Sequence, residues 1–316
     1  MKKEICLFLW ILIPQCFASK EEQKMKEKLK FADTLFEKGN FQSASKEYQD
    51  IFDSSHDEKI KWKAFFRLCE SLTHLFKYGE ASQLLLSTPL PEKNPHRIRV
   101  MFLRAEILQN FLMQYSNVLD EDRREGEKDV FNLTEKEVFQ KIDEAYGVLW
   151  SERNNLIKMK VKDEDYFLNL SGSDTKLFPT MLDVVVYSWV NYLNRWKAGK
   201  NDETKGECSW KEIVNEKFDR KVNLNDPVCY LVAEIMEETG RMEMDDQRSA
   251  SEYWRVRRIM LPFNYAGQFS ALAKDEKEAK EARKVASEIL LRWFEKFETD
   301  YGKAEAGYNA GILLKG

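Results

Sequence analysis

The apolar positions in the first third of the chain follow a helical period, and they also recur as a set. Across residues 21–119, one order of features recurs: an apolar residue, a small residue, a helix break and a second apolar helix. The small residues are Ala32, Cys69 and Ala105, so successive copies are 37 and 36 residues apart. Gly39 follows the first of these helices and predicts its end. The pattern predicts stacked pairs of antiparallel helices.

These copies resemble tetratricopeptide repeats, whose period is about 34 residues. The tryptophan position of that motif is not met, and no Pro closes the first copy. Each helical pair has an apolar face that only a neighbouring pair can bury, so the resemblance implies a solenoid. Stacking of this kind leaves a groove that binds peptides or protein subunits.

A run of charged residues separates this region from the rest of the chain. Residues 120–129 are almost all charged, which predicts a solvated linker over 120–133. Thr134 and Glu137 then have the spacing of a capping box, and apolar residues at helical period follow them. We therefore expect a repeat domain over 19–119 and a second helical region over 134–316.

Four amphipathic helices are predicted after residue 178. Pro179 and Thr180 begin a helix whose apolar residues, at offsets of three and four, form a wide face as far as Trp196. The other three are predicted over 227–236, 249–260 and 277–297. A tail rich in Ala and Gly follows, without a closing element. The expected fold is all-α: antiparallel hairpins stacked as a tetratricopeptide-like solenoid, with a second, irregular helical region.

The first residues have the three parts of an export signal. Lys2 and Lys3 precede an apolar run from Ile5 to Ile13, and Ala18 is a small residue suited to cleavage after it. The run is too short to span a bilayer, which takes about 20 residues. We expect a signal peptide over 1–18 and export to the periplasm or outer envelope of a bacterium.

The cysteines leave two alternatives open. A lipidated Cys normally follows a small residue, whereas Cys16 follows Gln15, so we expect no lipid anchor. Removal of the signal peptide leaves Cys69, Cys208 and Cys229, without metal-ligand spacing. Cys208 and Cys229 could form one bridge in an oxidising compartment. The apolar neighbours of Cys69 and Cys229 favour free, buried thiols instead.

Composition excludes several classes of function. The chain has 50 Lys and Arg against 54 Asp and Glu, so it lacks the basic field that nucleic-acid binding requires. His56, His74 and His96 are isolated from Cys and from carboxylate pairs, so no metal site is expected. The segment 198–200 lacks the earlier Gly of a phosphate-binding loop, so we expect no nucleotide cofactor.

Two acidic pairs are candidates for general acid and base catalysis. Asp163 lies close to Asp165, and Asp245 is adjacent to Asp246. Loop aspartates are far more often simply hydrated. We therefore expect no catalytic residue and no enzymatic activity.

A basic cluster is the remaining candidate. Arg255, Arg257 and Arg258 lie beside Trp254 and could recognise an acidic partner by bidentate and cation–π contacts. They could equally pair with Glu252 on the same helix, since ion pairs three and four residues apart are ordinary there. We favour the structural role, so no residue is assigned to a binding site.

The order of several segments in the second half is similar to the helical N-terminal region of large bacterial alpha-2-macroglobulin-like proteins. The segments are Ala145–Trp150, Glu164–Tyr166, Phe178–Asp183, Val186–Val190, Asp226–Val228, Arg248–Leu261 and Phe294–Gly302. The resemblance implies an envelope protein acting with β-sandwich domains, in a family that traps proteases. This chain contains neither such a sandwich nor the thioester motif, so trapping is not assigned to it.

We therefore expect a non-catalytic helical interaction module of an exported bacterial protein, namely the N-terminal arm of an alpha-2-macroglobulin-like envelope-defence protein. The alternative is a free-standing periplasmic tetratricopeptide adaptor that binds exported peptides or glycan-uptake components. In both cases the partners are proteins, either domains of the same polypeptide or envelope proteins. An arm should end in an unsatisfied apolar surface and a complete solenoid in a polar capping helix, and the ending 311–314 favours the arm.

Overall fold

The chain is all-α in the residues that the structure, a computed structural model, describes. These are residues 4–119, 129–168, 175, 177–197, 208–221, 227–243, 247–264 and 275–315, with side chains from Glu21 onward. The helices are α1 Glu4–Glu37, α2 Phe41–Ser54, α3 Glu58–His74, α4 Tyr78–Ser87, α5 His96–Tyr115, α6 Glu135–Ser151, α7 Arg153–Leu156, α8 Met181–Tyr192, α9 Trp210–Ile213, α10 Val228–Met242, α11 Arg248–Asn264, α12 Glu276–Lys296 and α13 Asp300–Lys315. Short 3-10 helices at Val130–Asn132 and Val161–Asp163 and a π-helical turn at Leu193–Lys197 complete them. The predicted fold class of stacked helical hairpins is confirmed.

None of the described helices has both the length and the apolar character that a membrane span needs. The side chains of the predicted signal peptide, including Lys2, Lys3 and Cys16, lie outside the described residues. The signal peptide and the absence of a lipid anchor therefore stay predictions.

Residues 1–151 form the first of two compact units. The unit consists of the hairpins α1–α2, α3–α4 and α5–α6. Ala32, Cys69 and Ala105, the small residues of the predicted repeat, are all fully buried. Their lack of bulk lets neighbouring helices pack closely, as the repeat pattern predicts.

The helix α6 completes the third hairpin, so the division between the units comes after Ser151 and not within 120–133 as the sequence predicts. The Tyr146 hydroxyl of α6 accepts a hydrogen bond from Gln109 Nε2 (2.7 Å) and lies 3.4 Å from Glu106 Oε1, both on α5. Tyr146 is fully buried. The charged run suggested a boundary because local composition does not show that α6 pairs with the helix before it.

The end of the predicted linker is part of this packing, while residues 120–128 lie outside the described residues. The Val130 amide donates to Gln83 Oε1 (2.8 Å), on α4. The Phe131 ring packs on Gly79, where a Cβ would lie 2.6 Å from the ring. The centroid of the Phe131 ring lies 5.3 Å from that of the Phe111 ring. A glycine at position 79 is needed to seat this ring.

The helices α1 and α3 end in the same way. Gly39 and Phe76, seven residues after Ala32 and Cys69, have φ of 75° and 60°. The amides of Asn40 and Lys77 then donate to carbonyls five residues earlier, as in a Schellman motif. The left-handed conformation suits Gly39, but it strains Phe76, whose side chain is 77% exposed.

Residues 152–316 form the second unit. The predicted helices are confirmed as α8, α10, α11 and α12. Their ends differ from the predicted ones by up to a few residues, except that α10 extends to Met242 and not only to residue 236. Thr180 caps α8 through a capping box with Asp183. The pairs α10–α11 and α12–α13 pack as hairpins, and α13 also contacts α11.

The predicted tail is the helix α13, which corrects the sequence-based expectation. Three of the small residues that suggested a tail, Gly302, Ala306 and Ala310, lie on its buried face. A Cβ at Gly302 would lie 2.8 Å from the Cβ of Glu252 on α11. These three residues are therefore explained by close helix packing and not by chain flexibility.

Candidate functional site

One of the two acidic pairs predicted as catalytic candidates lies in the part of the chain that the structure describes. Asp163 and Asp165 are exposed on the surface around the 3-10 helix Val161–Asp163, as expected for hydrated side chains. Asp245 and Asp246 lie outside the described residues. The carboxyl groups that do meet are Asp183 and Glu243, which are distant in sequence.

Asp183 and Glu243 belong to a buried polar cluster that joins three helices. Asp183 Oδ1 accepts a hydrogen bond from Trp254 Nε1 (2.8 Å). Asp183 Oδ2 accepts from the Thr180 amide (3.1 Å) and lies 2.8 Å from Thr180 Oγ1, which is also 2.8 Å from Glu243 Oε1. All four side chains are at most 1% exposed.

Counting protons assigns the charge states in this cluster. The Thr180 hydroxyl has one proton and lies 2.8 Å from both Asp183 Oδ2 and Glu243 Oε1, so it can donate to only one of them. The other carboxyl group must carry a proton of its own to form the second bond. Burial, and then the charge of Asp183, raise the pKa of Glu243 to about 8. Burial also raises the pKa of Asp183, although the hydrogen bonds from Trp254 and Thr180 favour its ionised form. Because the charge of Asp183 in turn raises the pKa of Glu243, we assign the proton to Glu243.

This cluster stabilises the unit and has no surface on which a ligand could react. Glu243 is the residue that follows α10, at the negative end of the helix dipole, where an ionised carboxylate is disfavoured. Trp254 links α11 to the cap of α8. The sequence signal that could have found part of the site is the spacing of Thr180 and Asp183, which is that of a capping box.

The arginine cluster is structural, but its partners are not the predicted ones. Arg258 is fully buried and pairs with Glu237 of α10 (Nε to Oε2, 2.7 Å). Its Nη1 donates to the backbone carbonyls of Ile213 and Asn215. Arg257 pairs with Glu305 of α13 (3.4 Å). These partners are on other helices, so local spacing could not reveal them.

Glu252, the expected partner of the arginines, instead anchors the start of α13. Its Oε1 accepts from the Glu298 amide (2.8 Å), and Thr299 Oγ1 donates to its Oε2. Burial raises the pKa of Glu252, although these hydrogen bonds favour its ionised form. The side chain of Glu252 therefore fixes the turn between α12 and α13.

Two of the three histidines have contacts that explain their place in the fold. The His74 ring stacks on Phe41, with centroids 4.2 Å apart. Burial and the charge of Arg99 lower the pKa of His96 to about 4. In the part of the chain that the structure describes, no group of three His, Cys, Asp or Glu side chains could hold a metal ion.

Cys208 and Cys229 form a disulfide, with Cα atoms 6.5 Å apart, so the preference for a free Cys229 is wrong. Cys69 is a free, buried thiol as predicted, and burial raises its pKa. The bridge ties the segment before α9 to the start of α10. It is the chemistry expected of an oxidising compartment.

The aromatic side chains at the end of α12 pack into the core, except for Phe294. Trp293 and Phe297 are buried, whereas Phe294 packs against Gly307 of α13 and is partly exposed. Trp293 borders a cavity of about 520 Å³ whose wall includes Glu216. Lys296 and Trp293 donate to Glu216, and the hydrogen bond from Lys296 is the main cause of its lowered pKa. Because Glu216, Trp293 and Lys296 in the cavity wall bond to one another, we interpret the cavity as part of the packing around α12.

The described surface of the second unit carries a set of tyrosines that the sequence analysis did not single out. On α13, Tyr301, Tyr308 and Ile312 are spaced by seven and four residues, which places them on one face. All three are exposed, and Tyr308 is 69% exposed. Tyr187 of α8 is 51% exposed. Exposed tyrosines are enriched in protein interfaces because they bring large area at low entropic cost.

Buried and half-buried groups connect these tyrosines into one surface. The Phe178 ring lies 5.5 Å from Tyr187 and 5.4 Å from Tyr253. The Arg257 guanidinium lies 4.9 Å from the Tyr253 ring and pairs with Glu305, on the same face of α13 as Tyr308. Burial raises the pKa of Tyr253 to about 12. The tyrosine surface is defined as Phe178, Tyr187, Tyr253, Arg257, Tyr301 and Tyr308.

The segments that resemble alpha-2-macroglobulin-like proteins have definite places in the structure. Ala145–Trp150 lies in α6, Phe178–Asp183 forms the cap of α8, and Phe294–Gly302 forms the turn between α12 and α13. None of these features is itself diagnostic of a family. Comparison of the chain with protein-family models, curated proteins and solved structures finds no match.

Proposed function

We propose that this chain is a non-catalytic helical interaction module of an exported bacterial protein. The observation that carries the proposal is the tyrosine surface, with Tyr187, Tyr301 and Tyr308 exposed on a rigid helical support. Such residues are the usual energetic centres of protein interfaces. The buried carboxyl pair and the paired arginines stabilise the fold that supports this surface.

Export is supported by two independent features. The pattern of Lys2, Lys3, the apolar run from Ile5 to Ile13 and Ala18 is that of a signal peptide. The disulfide between Cys208 and Cys229 needs an oxidising compartment to persist.

Within this function, the module would be the N-terminal arm of an alpha-2-macroglobulin-like envelope-defence protein, on the strength of the segment order described above. The alternative is a free-standing periplasmic tetratricopeptide adaptor for exported peptides or glycan-uptake components. The hairpin stack α1–α6 favours this alternative, because such stacks form peptide-binding grooves.

Export is tested by expressing the full chain in a Gram-negative bacterium and fractionating the cells. We expect a periplasmic product that begins at Ser19, and whose mass shows two hydrogens fewer than the reduced chain. A product that stays in the cytoplasm with residues 1–18 intact would contradict the proposal.

The interaction is tested by placing a photo-crosslinking amino acid at position 308 in the source organism. Position 314 is a matched control, because Leu314 is 65% exposed and lies about 120° away around the same helix. We expect a discrete protein adduct from position 308 and none from position 314. Adducts from neither position, or equally from both, would refute an interface at this surface.

A further inference from the structure

We propose that Glu243 is a proton-controlled latch at the end of α10. When its carboxyl group releases the proton, Glu243 leaves the buried cluster and the last turn of α10 opens, while the capping box of α8 stays closed. The inference goes beyond the proposed function, because it concerns a conformational change within the second unit and not the choice of a partner.

The buried cluster offers Glu243 fewer hydrogen-bond donors than it offers Asp183. Asp183 accepts from Trp254 Nε1 (2.8 Å) and from the Thr180 amide (3.1 Å), in addition to its contact with the Thr180 hydroxyl (2.8 Å). Among the described residues, Glu243 Oε1 has the same hydroxyl as its hydrogen-bond partner (2.8 Å), and Oε2 is buried without one. An ionised carboxylate is therefore held better at position 183 than at position 243.

Loss of the proton from Glu243 would place two carboxylates in one buried site. If the Thr180 hydroxyl then donates to Asp183 in the capping box, it leaves the Glu243 carboxylate without a donor in the cluster. A buried ion without a partner is costly, and movement of Glu243 into water removes that cost. Thr180 and Asp183 keep their bonds to each other when Glu243 leaves.

Little backbone structure has to break for Glu243 to move. Glu243 follows the last residue of α10, where the helix dipole also disfavours a negative charge. Its amide donates to the Thr239 carbonyl (3.0 Å), and its carbonyl accepts from the Gln247 amide (2.9 Å). Ser251 Oγ also donates to the Gly240 carbonyl (2.6 Å). Opening of this turn leaves the hydrogen bonds within α8 intact.

The charges around Glu243 act in opposite directions. The charge of Asp183 on α8 raises the pKa of Glu243, and that of Lys160 lowers it. Lys160 is placed beside the cluster by its backbone bridge to Thr180. On α10 itself, Arg241 pairs with Glu238 (3.6 Å), and α11 contributes the neutral indole of Trp254. Burial outweighs the effect of Lys160, so the closed latch holds its proton at neutral pH.

Proton release and opening are coupled by a defined amount. While the latch is closed the pKa of Glu243 is about 8, whereas a Glu side chain in water titrates near pH 4.3. Between these values the open form releases the proton and the closed form keeps it. The ratio of open to closed molecules should therefore rise about tenfold for each pH unit and level off above about pH 8.

The test is hydrogen exchange followed by mass spectrometry, on the full, disulfide-bonded chain, between about pH 5 and pH 9. Comparison of the unmodified chain with Glu243→Gln at each pH cancels the direct effect of pH on exchange. For the segment 236–243, the ratio of the two exchange rates should rise about tenfold per pH unit up to about pH 8. Glu238→Gln, a partly exposed position on the same helix, should retain the pH dependence of the unmodified chain.

Dilute urea distinguishes opening of this turn from unfolding of the whole unit. Opening of one turn exposes little surface, so urea should leave the exchange of the segment 236–243 unchanged while it accelerates that of α12 and of the start of α8. The inference is overturned if the ratio for the segment 236–243 does not change with pH. It is also overturned if this segment, α12 and the start of α8 exchange at one rate and respond equally to urea.

Discussion

Replacing Glu243 with glutamine should change how the stability of the protein depends on pH. Burial raises the pKa of Glu243 to about 8, while an unfolded Glu titrates near pH 4.3. Below about pH 4, Glu243 is protonated in both the folded and the unfolded state. Between the unfolded and the folded pKa of Glu243, the unfolded chain releases the proton and the folded chain keeps it. The free energy of unfolding therefore falls as the pH rises over this range.

The size of the effect follows from the difference between the two pKa values. A difference of nearly four pKa units corresponds to about 5 kcal/mol of unfolding free energy. This stability is lost between about pH 4 and pH 8, and no more is lost above pH 8. The glutamine side chain would carry no charge, and its amide N–H could replace the proton that Glu243 donates to Thr180 Oγ1. Glu243→Gln should therefore be more stable than the unmodified chain at pH 8, by up to this amount, and about equal at pH 4.

The assay is urea unfolding followed by tryptophan fluorescence between pH 4 and pH 9, since Trp254 lies in the cluster. Glu238→Gln is the matched control, because Glu238 is on the same helix but partly exposed. The control should retain the pH dependence of the unmodified chain. If Glu243→Gln also retains it, or is less stable at pH 8, Glu243 is not the proton-holding group and the assignment is refuted.

Further substitutions test the packing and the cross-link. Phe76→Gly should raise the unfolding free energy by about 1 kcal/mol, because it relieves a left-handed conformation. Gly39→Ala should lower the unfolding free energy by a similar amount. Urea unfolding measures both effects. Cys208→Ser should lower the stability of the second unit by about 2–4 kcal/mol, measured by thermal unfolding, and a reductant should have no further effect on it. Gly302→Ala should cost about 1–3 kcal/mol in the same assay, because its Cβ would displace Glu252, while Gly311→Ala, with open space around it, should not destabilise.

Sequence patterns predicted what is repeated or local in this fold. Ala32, Cys69 and Ala105 lie at fixed spacing, and each is buried where helices meet. Thr134 with Glu137 forms the predicted capping box, with the Glu137 amide 3.0 Å from Thr134 Oγ1. A capping box depends on residues within one turn of each other, and a repeat on the recurrence of one local pattern, so a single sequence contains the information for both.

Long-range pairing was missed for a physical reason. Arg258 pairs with Glu237, and Asp183 with Trp254, across 21 and 71 residues. Nothing in local spacing selects these partners over Glu252, which was the nearer candidate for the arginines. The same limit hid the helix α13, because the need for a glycine at position 302 comes from the side chain of Glu252 on another helix.

The two carboxyl groups of the buried cluster should respond differently to neutralisation, and Asp183→Asn tests this. The asparagine side chain would turn an N–H towards at least one of the donors that Asp183 accepts from, namely the Thr180 amide and hydroxyl and Trp254 Nε1. A buried donor left unpaired costs about 1–3 kcal/mol, so this variant should be less stable than the unmodified chain at pH 4, where Glu243 is protonated in both the folded and the unfolded state. Loss of the negative charge should also lower the pKa of Glu243, because that charge is its second largest cause of elevation. The fall in stability with rising pH should therefore end below pH 8 in urea titrations of Asp183→Asn. A variant whose pH dependence is unchanged would show that the two carboxyl groups are not coupled.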